Sequence, residues 1–341
     1  MIENDFLLNF DLDGERGITN RMLVTTYDRL NRTEQQMLFE TIFANGTFTN
    51  MLDMHLHLAS RTFHHGASVF VALKTGRISG LAGVITKHTT KTGELCIPLL
   101  EMVPTTESAF ETLMDTVVRA FQALQPRSLK IGLSPHAAHL KQLLSRQGFR
   151  LADRALELER VLEAEGTTVA MDPSADAFKP TGHIQFVPLS EAEPERFQYV
   201  YNRAFADSSH MFPLDADDMV EKKALSGLNP GMVGIVKVGD ADAAVYELEL
   251  KEECGWIETI AVLPEYRRMK IGTHILEHAF DIFRSHNRST ARLRVYENND
   301  EAMAFYARHQ FTISDVHSLW YVREIRTSLR GGIRRGRKVK K

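Results

Sequence analysis

A chain of 341 residues is long enough for two ordinary cores, because single domains run about 100 to 200 residues. With 43% hydrophobic and 25% charged residues, and no apolar run near the ~18 that a membrane helix needs, the composition excludes wholesale disorder and argues against a membrane span. The formal charge of −3 conceals an asymmetry: "RTSLRGGIRRGRKVKK" (326–341) holds eight Lys or Arg and no acid, which leaves −11 on the rest.

In chain order, "MIENDFLLNFDLDGERG" lacks the basic start and long apolar stretch of a signal peptide, so a cytoplasmic protein is expected. "FLLNFD" reads as a short strand, followed by helical stretches across about 20–62. Within them "MHLHLASRTFHH" puts His55 and His57 two apart on a helix, where they point to different sides, so no metal site is expected. Strand "SVFVALK", a Thr-Gly turn and strands "RISGLAGVITK" and "ELCIPLLEMV" come next. Helix 107–124, strand "SLKIGLS", helix 136–147 and strand "ALELERVL" complete the first half. The small, polar, proline-bearing stretch 163–182 is a linker. Cys96 and Cys254, the two cysteines, cannot form a disulfide framework and read as buried small hydrophobes.

The second half opens with strand "HIQFVPLS" and helical stretches 190–206 and 216–227. Strands "GMVGIVKVGD" and "ADAAVYELEL" then form a hairpin across a Gly-Asp turn. Strand "GWIETIAV" (255–262), helix 271–286, strand "ARLRVYE", helix 299–308 and strand "HSLWYVREI" follow. This is the series of the first half again, and near the end of each copy a helix closes on a similar phrase, "LLSRQGF" (143–149) and "FYARHQF" (305–311). Phe149 and Phe311 then stand in register, and Leu144 stands against Tyr306. The expected fold class is α+β: two tandem domains, 1–162 and 183–325, each a central mixed β-sheet flanked by helices. Residues 326–341 are expected to be a basic, disordered tail.

Between a strand and a helix lies "PEYRRMKIGTHIL" (264–276), with Pro264 ending the strand and Arg267, Arg268 and Lys270 in the turn. Free N–H groups at a helix start, surrounded by positive charge, make a seat for a phosphate. With "IETIAVLPEYRRMKIGTHILEHAF" followed by "LRVYENNDEAMAFYARHQF", residues 183–325 resemble the GCN5-related N-acetyltransferases, the GNAT superfamily. That family's turn has the form Arg/Gln-x-x-Gly-x-Gly/Ala, and Arg267, Lys270 and Gly272 hold the three marked places, so one glycine is replaced. Its companion signature, Asn, a small residue, Tyr and Phe, is met by Asn298 or Asn299, Ala302, Tyr306 and Phe311. Over 1–162 the resemblance is one of topology and of the "QGF" phrase.

The resemblance implies an N-acetyltransferase that moves an acetyl group from acetyl-CoA, its co-substrate, to a primary amine of a small molecule or peptide in a ternary complex, without a metal. It implies a splayed strand edge at Ile260, Ala261 and Val262 that pairs with the pantetheine arm, the N–H of Ile260 or Val262 lying near the thioester oxygen. The pyrophosphate would sit on the N–H groups of Arg268, Met269, Lys270, Ile271, Gly272 and Thr273. Tyr306 would be the general acid or hydrogen-bond donor to the departing sulfur. Strand periodicity puts Glu258 on one face with Ile260 and Val262, where it could take the amine proton directly or through water. The loop "FADSSHMFPLD" offers Asp207, His210, Met211 and Phe212 as an acceptor pocket.

In the first half "PTTESAFETL" has no basic cluster, and Leu144 replaces the phenol, so this copy is expected to be non-catalytic, packing on the second and shaping the acceptor cleft. A tandem-domain acyltransferase of the mycothiol synthase kind is a related reading. From another class comes a CoA-sensing or nucleic-acid-associated protein anchored by the basic tail. The acceptor and the oligomeric state are not legible.

Overall fold

The computed structural model describes residues 22–43, 48–87, 89–103, 106–162, 183–208 and 211–325. The expected strand "FLLNFD", the linker 163–182, the basic tail and His210 lie outside the described residues. Two compact units are present, one of residues 1–152 and 319–341, the other of 153–318. Among the described residues no helix is long and apolar enough to cross a membrane.

In the first unit β1 (Met22–Thr26), β2 (Val69–Lys74), β3 (Arg77–Ile85) and β4 (Glu94–Met102) pair antiparallel in sequence order. β5 (Ser128–Leu133) lies parallel to β4, and Leu319–Glu324 pairs antiparallel with β5. The helices are α1 (Arg32–Leu38), α2 (Met51–Leu58), the short α3 (Thr89–Thr92), α4 (Glu107–Ala120) and α5 (Ala138–Arg146). Side-chain alternation divides two cores: Val69, Val71 and Leu73 join Leu38, Met54 and Leu58, whereas Phe70 and Ala72 join Phe110, Leu113, Leu140 and Leu144. Thr75 and Gly76, both at positive φ, make the two-residue hairpin turn expected there. Met22–Thr26, expected within a helical stretch, is instead a strand. Its β-branched Val24, Thr25 and Thr26 suit a pleated surface, and β2 offers the partner. His55 meets the Tyr27 hydroxyl at 3.0 Å, and the His57 ring packs between Phe48 and Phe63.

The second unit holds β7 (Ile184–Pro188), α6 (Pro194–Ala204), α7 (Ala216–Leu228), β8 (Val233–Val238), β9 (Ala241–Leu250) and β10 (Gly255–Val262). α8 (Ile271–Ser285), β11 (Thr290–Tyr296) and α9 (Asp300–Arg308) follow. β7 to β10 pair antiparallel in sequence order, and β10 pairs parallel with β11. On the far side of β11 runs β6 (Arg150–Val161), antiparallel, from Val161 opposite Thr290 to Ala155 opposite Tyr296. α8 buries Ile275, Leu276, Ala279, Phe280 and Phe283 in this unit's core. Gly255 permits that approach, because a Cβ there would lie 2.1 Å from the Phe283 ring.

The element order matches expectation throughout the second half and, apart from the short α3, from Val69 onward in the first, but the domain limits 1–162 and 183–325 do not coincide with the compact units. β6, the last strand of the first half, buries Leu156 and Leu158 in the second unit. β12 (Thr312–Glu324), the last of the second half, gives Leu319–Glu324 to the first. The physical reason is the repeat itself. Two copies present equivalent sheet edges, so a terminal strand patterned for one edge fits the other, and its sequence does not say which.

Candidate active site

β10 and β11 pair only from Gly255–Ala291 to Ile257–Leu293, after which β10 stays with β9 through Val262 while β11 continues without it to Tyr296. The separation coincides with a bulge. Between Ile257 and Thr259 the register with β9 shifts by one residue, and Glu258 is the extra one. Beyond the bulge the Leu263 N–H donates to Ala243 O at 2.9 Å, so the period of two turns Ala261 toward β9 as well. The N–H and C=O groups of Ile260 and Val262 therefore face the opened edge. The Arg267 Nε bond to Val262 O, 3.3 Å, agrees with that direction.

The bulge corrects one expectation. Glu258 does not share a face with Ile260 and Val262, because the extra residue inverts the alternation: Thr259 now stands opposite Glu247 and Ile260 opposite Tyr246. Glu258 is exposed and accepts a 2.8 Å hydrogen bond from the Trp256 indole N–H, on the side of Trp256 and Thr259.

The opened edge leads through the 264–270 turn to α8. Arg268 (φ 64°) and Lys270 (φ 60°) are both left-handed, a conformation that costs a residue with a Cβ roughly 1 kcal/mol. Lys270 occupies the N-cap, and no side chain caps the helix, so the first-turn N–H groups of Ile271, Gly272 and Thr273 are left for a ligand or solvent. Gly272 meets a different demand: a Cβ there would stand 3.0 Å from Phe305 Cζ, so the glycine admits the α9 aromatic. Thr273 Oγ1 lies 3.1 Å from His309 Nε2, and His309 Nδ1 lies 2.8 Å from Phe305 O. A carbonyl only accepts, so Nδ1 carries the proton and the Thr273 hydroxyl donates to Nε2. Desolvation, the largest influence, holds the His309 pKa below its ordinary value, consistent with that neutral ring. These contacts tie the start of α8 to α9.

The charged residues of the turn divide by role. The Arg267 guanidinium donates to Ala204 O at 3.1 Å as well as to Val262 O, and its backbone N–H donates to Pro264 O. It fastens the turn to the ends of α6 and β10. The Arg268 side chain is 82% exposed, 3.5 Å from Glu301, and Lys270 is exposed, while Met269 packs on the core. On α9, Asn299 Oδ1 caps the helix by accepting from Ala302 N at 3.2 Å, and Asn298 N donates to Asp153 Oδ1. Tyr306 packs edge-on against Phe305 and Phe311, with ring centroids 5.2 and 5.6 Å away. Its hydroxyl bonds to no group among the described residues, and burial pushes the phenol up to about 12.

The same register in the first unit gives a different outcome. Phe149 N donates to Leu144 O across Gly148, just as Phe311 N donates to Tyr306 O across Gln310, and both bridging residues have positive φ. Leu144 is thus the counterpart of Tyr306, and it is fully buried. The helix after β4 is capped by Thr106, whose hydroxyl accepts from Ala109 N at 3.4 Å. Burial pushes the Cys96 thiol on β4 up to about 12.

Of the acceptor candidates, Asp207 is exposed, Met211 packs on the core with its N–H on Ser208 Oγ, and Phe212 is half-buried. Sequence reasoning missed Tyr201, Lys222 and Glu247, which lie on the α6–α7 side of β9 and β10. Tyr201 follows Phe197 by four residues on α6, a spacing that reads as core, and only the fold brings Glu247 and Lys222 together. Among the described residues no group of three His, Cys, Asp or Glu is placed to hold a metal ion.

Residues 183–311 match the acetyltransferase (GNAT) family model. The mycothiol acetyltransferase of Acidimicrobium ferrooxidans is 25% identical over 216 residues, covering 61% of this chain and 67% of that protein. A GCN5-related N-acetyltransferase from Sphaerobacter thermophilus superposes with a TM-score of 0.61 at 13% identity, over 90% of this chain and 97% of that one. A GCN5-related glucosamine N-acetyltransferase region of a fungal β-N-acetylglucosaminidase gives 0.60 at 15% identity, over 89% of this chain and 38% of that one. The two superpositions establish the fold.

Proposed function

Because residues 183–311 match the acetyltransferase (GNAT) family model, we propose that this chain is an acyltransferase of the GNAT superfamily that transfers the acetyl group of acetyl-CoA to a primary amine of a small molecule or peptide, by direct attack in a ternary complex in the cytoplasm. The observation that carries the reading is the opened edge of β10, which ends at the uncapped start of α8. An extended thioester arm needs strand N–H groups turned away from the sheet, as those of Ile260 and Val262 are, and a pyrophosphate needs unpaired helix N–H groups. Here both are continuous.

In this reading the first-turn N–H groups of α8 and those of Arg268 to Lys270 hold the pyrophosphate, and the exposed Lys270 ammonium adds charge beside it. The Ile260 or Val262 N–H donates to the thioester oxygen as it gains negative charge, an effect often worth ~3 to 4 kcal/mol per donor. Glu258, oriented by the Trp256 indole, takes the amine proton directly or through water. The C–N bond forms, the C–S bond breaks, and the electron pair leaves on sulfur. Tyr306 faces a mismatch: with its phenol near 12, full proton transfer to a thiolate whose acid has a pKa of ~8.5 is uphill. Its role is to donate a hydrogen bond to the departing sulfur, and it remains protonated throughout the neutral range. No turnover is assigned to the first unit.

Incubation with acetyl-CoA against polyamines, amino acids, aminoglycosides and peptides, following free thiol and acetylated amine together, tests the reading. Equimolar thiol and N-acetyl product are expected for at least one amine class. Intact CoA binding with no acetylated product from any amine would overturn it in favour of a CoA sensor.

A further inference from the structure

Away from the opened edge, the α6–α7 side of β10 gathers polar groups from several elements. α6 buries Phe197, Val200, Tyr201 and Ala204. Tyr201 is only 6% exposed, its ring meets Phe205 edge-on, and its hydroxyl has no hydrogen-bond partner among the described residues. The oxygen is not among the fully buried unpartnered polar atoms, so a ligand can reach this hydroxyl at the edge of a buried ring, where it can both donate and accept. On this side of the sheet Glu247 of β9 is held between Lys222 of α7 and Thr259 of β10, and Glu258 of the β10 bulge lies on the side of Trp256 and Thr259, with Asp218 on α7. Burial first, then the fields of Glu247, Glu258 and Asp218, push its phenol pKa upward, so these groups lie close enough to act on the hydroxyl.

The charges are unevenly matched. Lys222 Nζ bonds both oxygens of Glu247, at 2.6 and 2.7 Å, and the Thr259 hydroxyl stands 3.5 Å from the same carboxylate. Glu258 has the neutral Trp256 indole as its hydrogen-bond donor and forms no ion pair among the described residues. The wall therefore keeps a negative charge beside the strand that would carry the reacting thioester. We infer that this wall binds the acceptor, that the acceptor is a cationic amine with no carboxylate of its own nearby, and that the Tyr201 hydroxyl is the contact that seats it beside Glu258. An ammonium meets a complementary field there, whereas an amino acid would bring a like charge against Glu258. The inference rests on the acetyl-transfer reading for the word acceptor, and it adds a substrate class and a specificity-determining residue.

Calorimetric titration of the CoA-loaded full chain with cadaverine and with 5-aminopentanoate tests it without turnover, since the two chains differ mainly in an ammonium against a carboxylate at one end. Cadaverine is expected to bind at least about tenfold more tightly. Tyr201→Phe, which keeps the ring and its packing, should weaken cadaverine about fivefold and leave CoA affinity unchanged. Lys222→Met, which releases the Glu247 charge, should widen the preference for cadaverine. Equal binding of the two ligands, no binding of either, or no effect of Tyr201→Phe would overturn the inference. Acetylation of some amine despite equal binding would leave the acetyltransferase reading standing. The expected cadaverine preference with no acetylation of any amine would remove that reading and keep the cationic-amine site.

Discussion

Two helices occupy the same place in the two halves of the molecule, α4 after β4 and α8 after β10, and they begin differently. α4 begins under the Thr106 hydroxyl, which satisfies one of its free N–H groups from within the chain. α8 begins at a left-handed Lys270 with no side-chain cap. On the next helix of each series, a buried Leu144 of α5 stands where α9 of the other half has Tyr306. The shared architecture is kept by burial, which any apolar residue of suitable size can supply. The difference lies in groups left unsatisfied, which cost stability unless something binds them. A capped helix and a buried leucine mark one half, and an uncapped helix start and a phenol without a hydrogen-bond partner among the described residues mark the half to which ligand binding is proposed.

The comparison is broken most severely at Tyr306. Tyr306→Phe should lower kcat about 100-fold with the KM for acetyl-CoA nearly unchanged, because the lost hydrogen bond forms only as charge develops on sulfur. An unchanged kcat would remove Tyr306 from the chemistry. With its phenol near 12, kcat should show no alkaline limb from Tyr306 below about pH 10, since a donor whose pKa is raised stays protonated through that range. Loss of activity centred near pH 8 to 9 in wild type, abolished in the phenylalanine variant, would contradict the assignment.

Gly272→Ala comes next. Its Cβ would stand 3.0 Å from Phe305 Cζ, so the ring must shift by a few tenths of an ångström and disturb the contact between α9 and the start of α8. Acetyl-CoA affinity measured by titration should fall about tenfold. Lys270→Gly sharpens the comparison with opposite signs in two measurements: thermal unfolding should show a gain of about 1 kcal/mol from relief of the left-handed lysine, while acetyl-CoA binding weakens about threefold and becomes less salt-dependent. Tighter binding would show that the ammonium only points to solvent. The smallest effect is expected at Thr106→Ala, which should cost the first unit ~1 kcal/mol in denaturant unfolding and leave both kinetic constants unchanged.

Local signals carried much of this in the sequence. "GWIETIAV" gave the observed limits of β10, the Arg-x-x-Lys-x-Gly spacing marked the strained position at Lys270, and the "QGF" and "HQF" phrases set Leu144 against Tyr306. What stayed hidden depends on pairing across the chain. The bulge at Glu258 is a mismatch with β9, so strict alternation along β10 put the carboxylate on the wrong face. The placement of β6 and of Leu319–Glu324 was illegible because the repeat makes two edges equivalent. Tyr201 reads as core because it follows Phe197 by four residues on the buried face of α6, and its nearness to Glu247 of β9 is a matter of the fold.

Amide hydrogen exchange with and without CoA, read at the first turns of α4 and α8 in one sample, tests the central claim most directly. Protection is expected at Ile271, Gly272 and Thr273 and none at Glu107, Ser108 and Ala109. Protection at the first turn of α4, or its absence at α8 under saturating CoA, would contradict it.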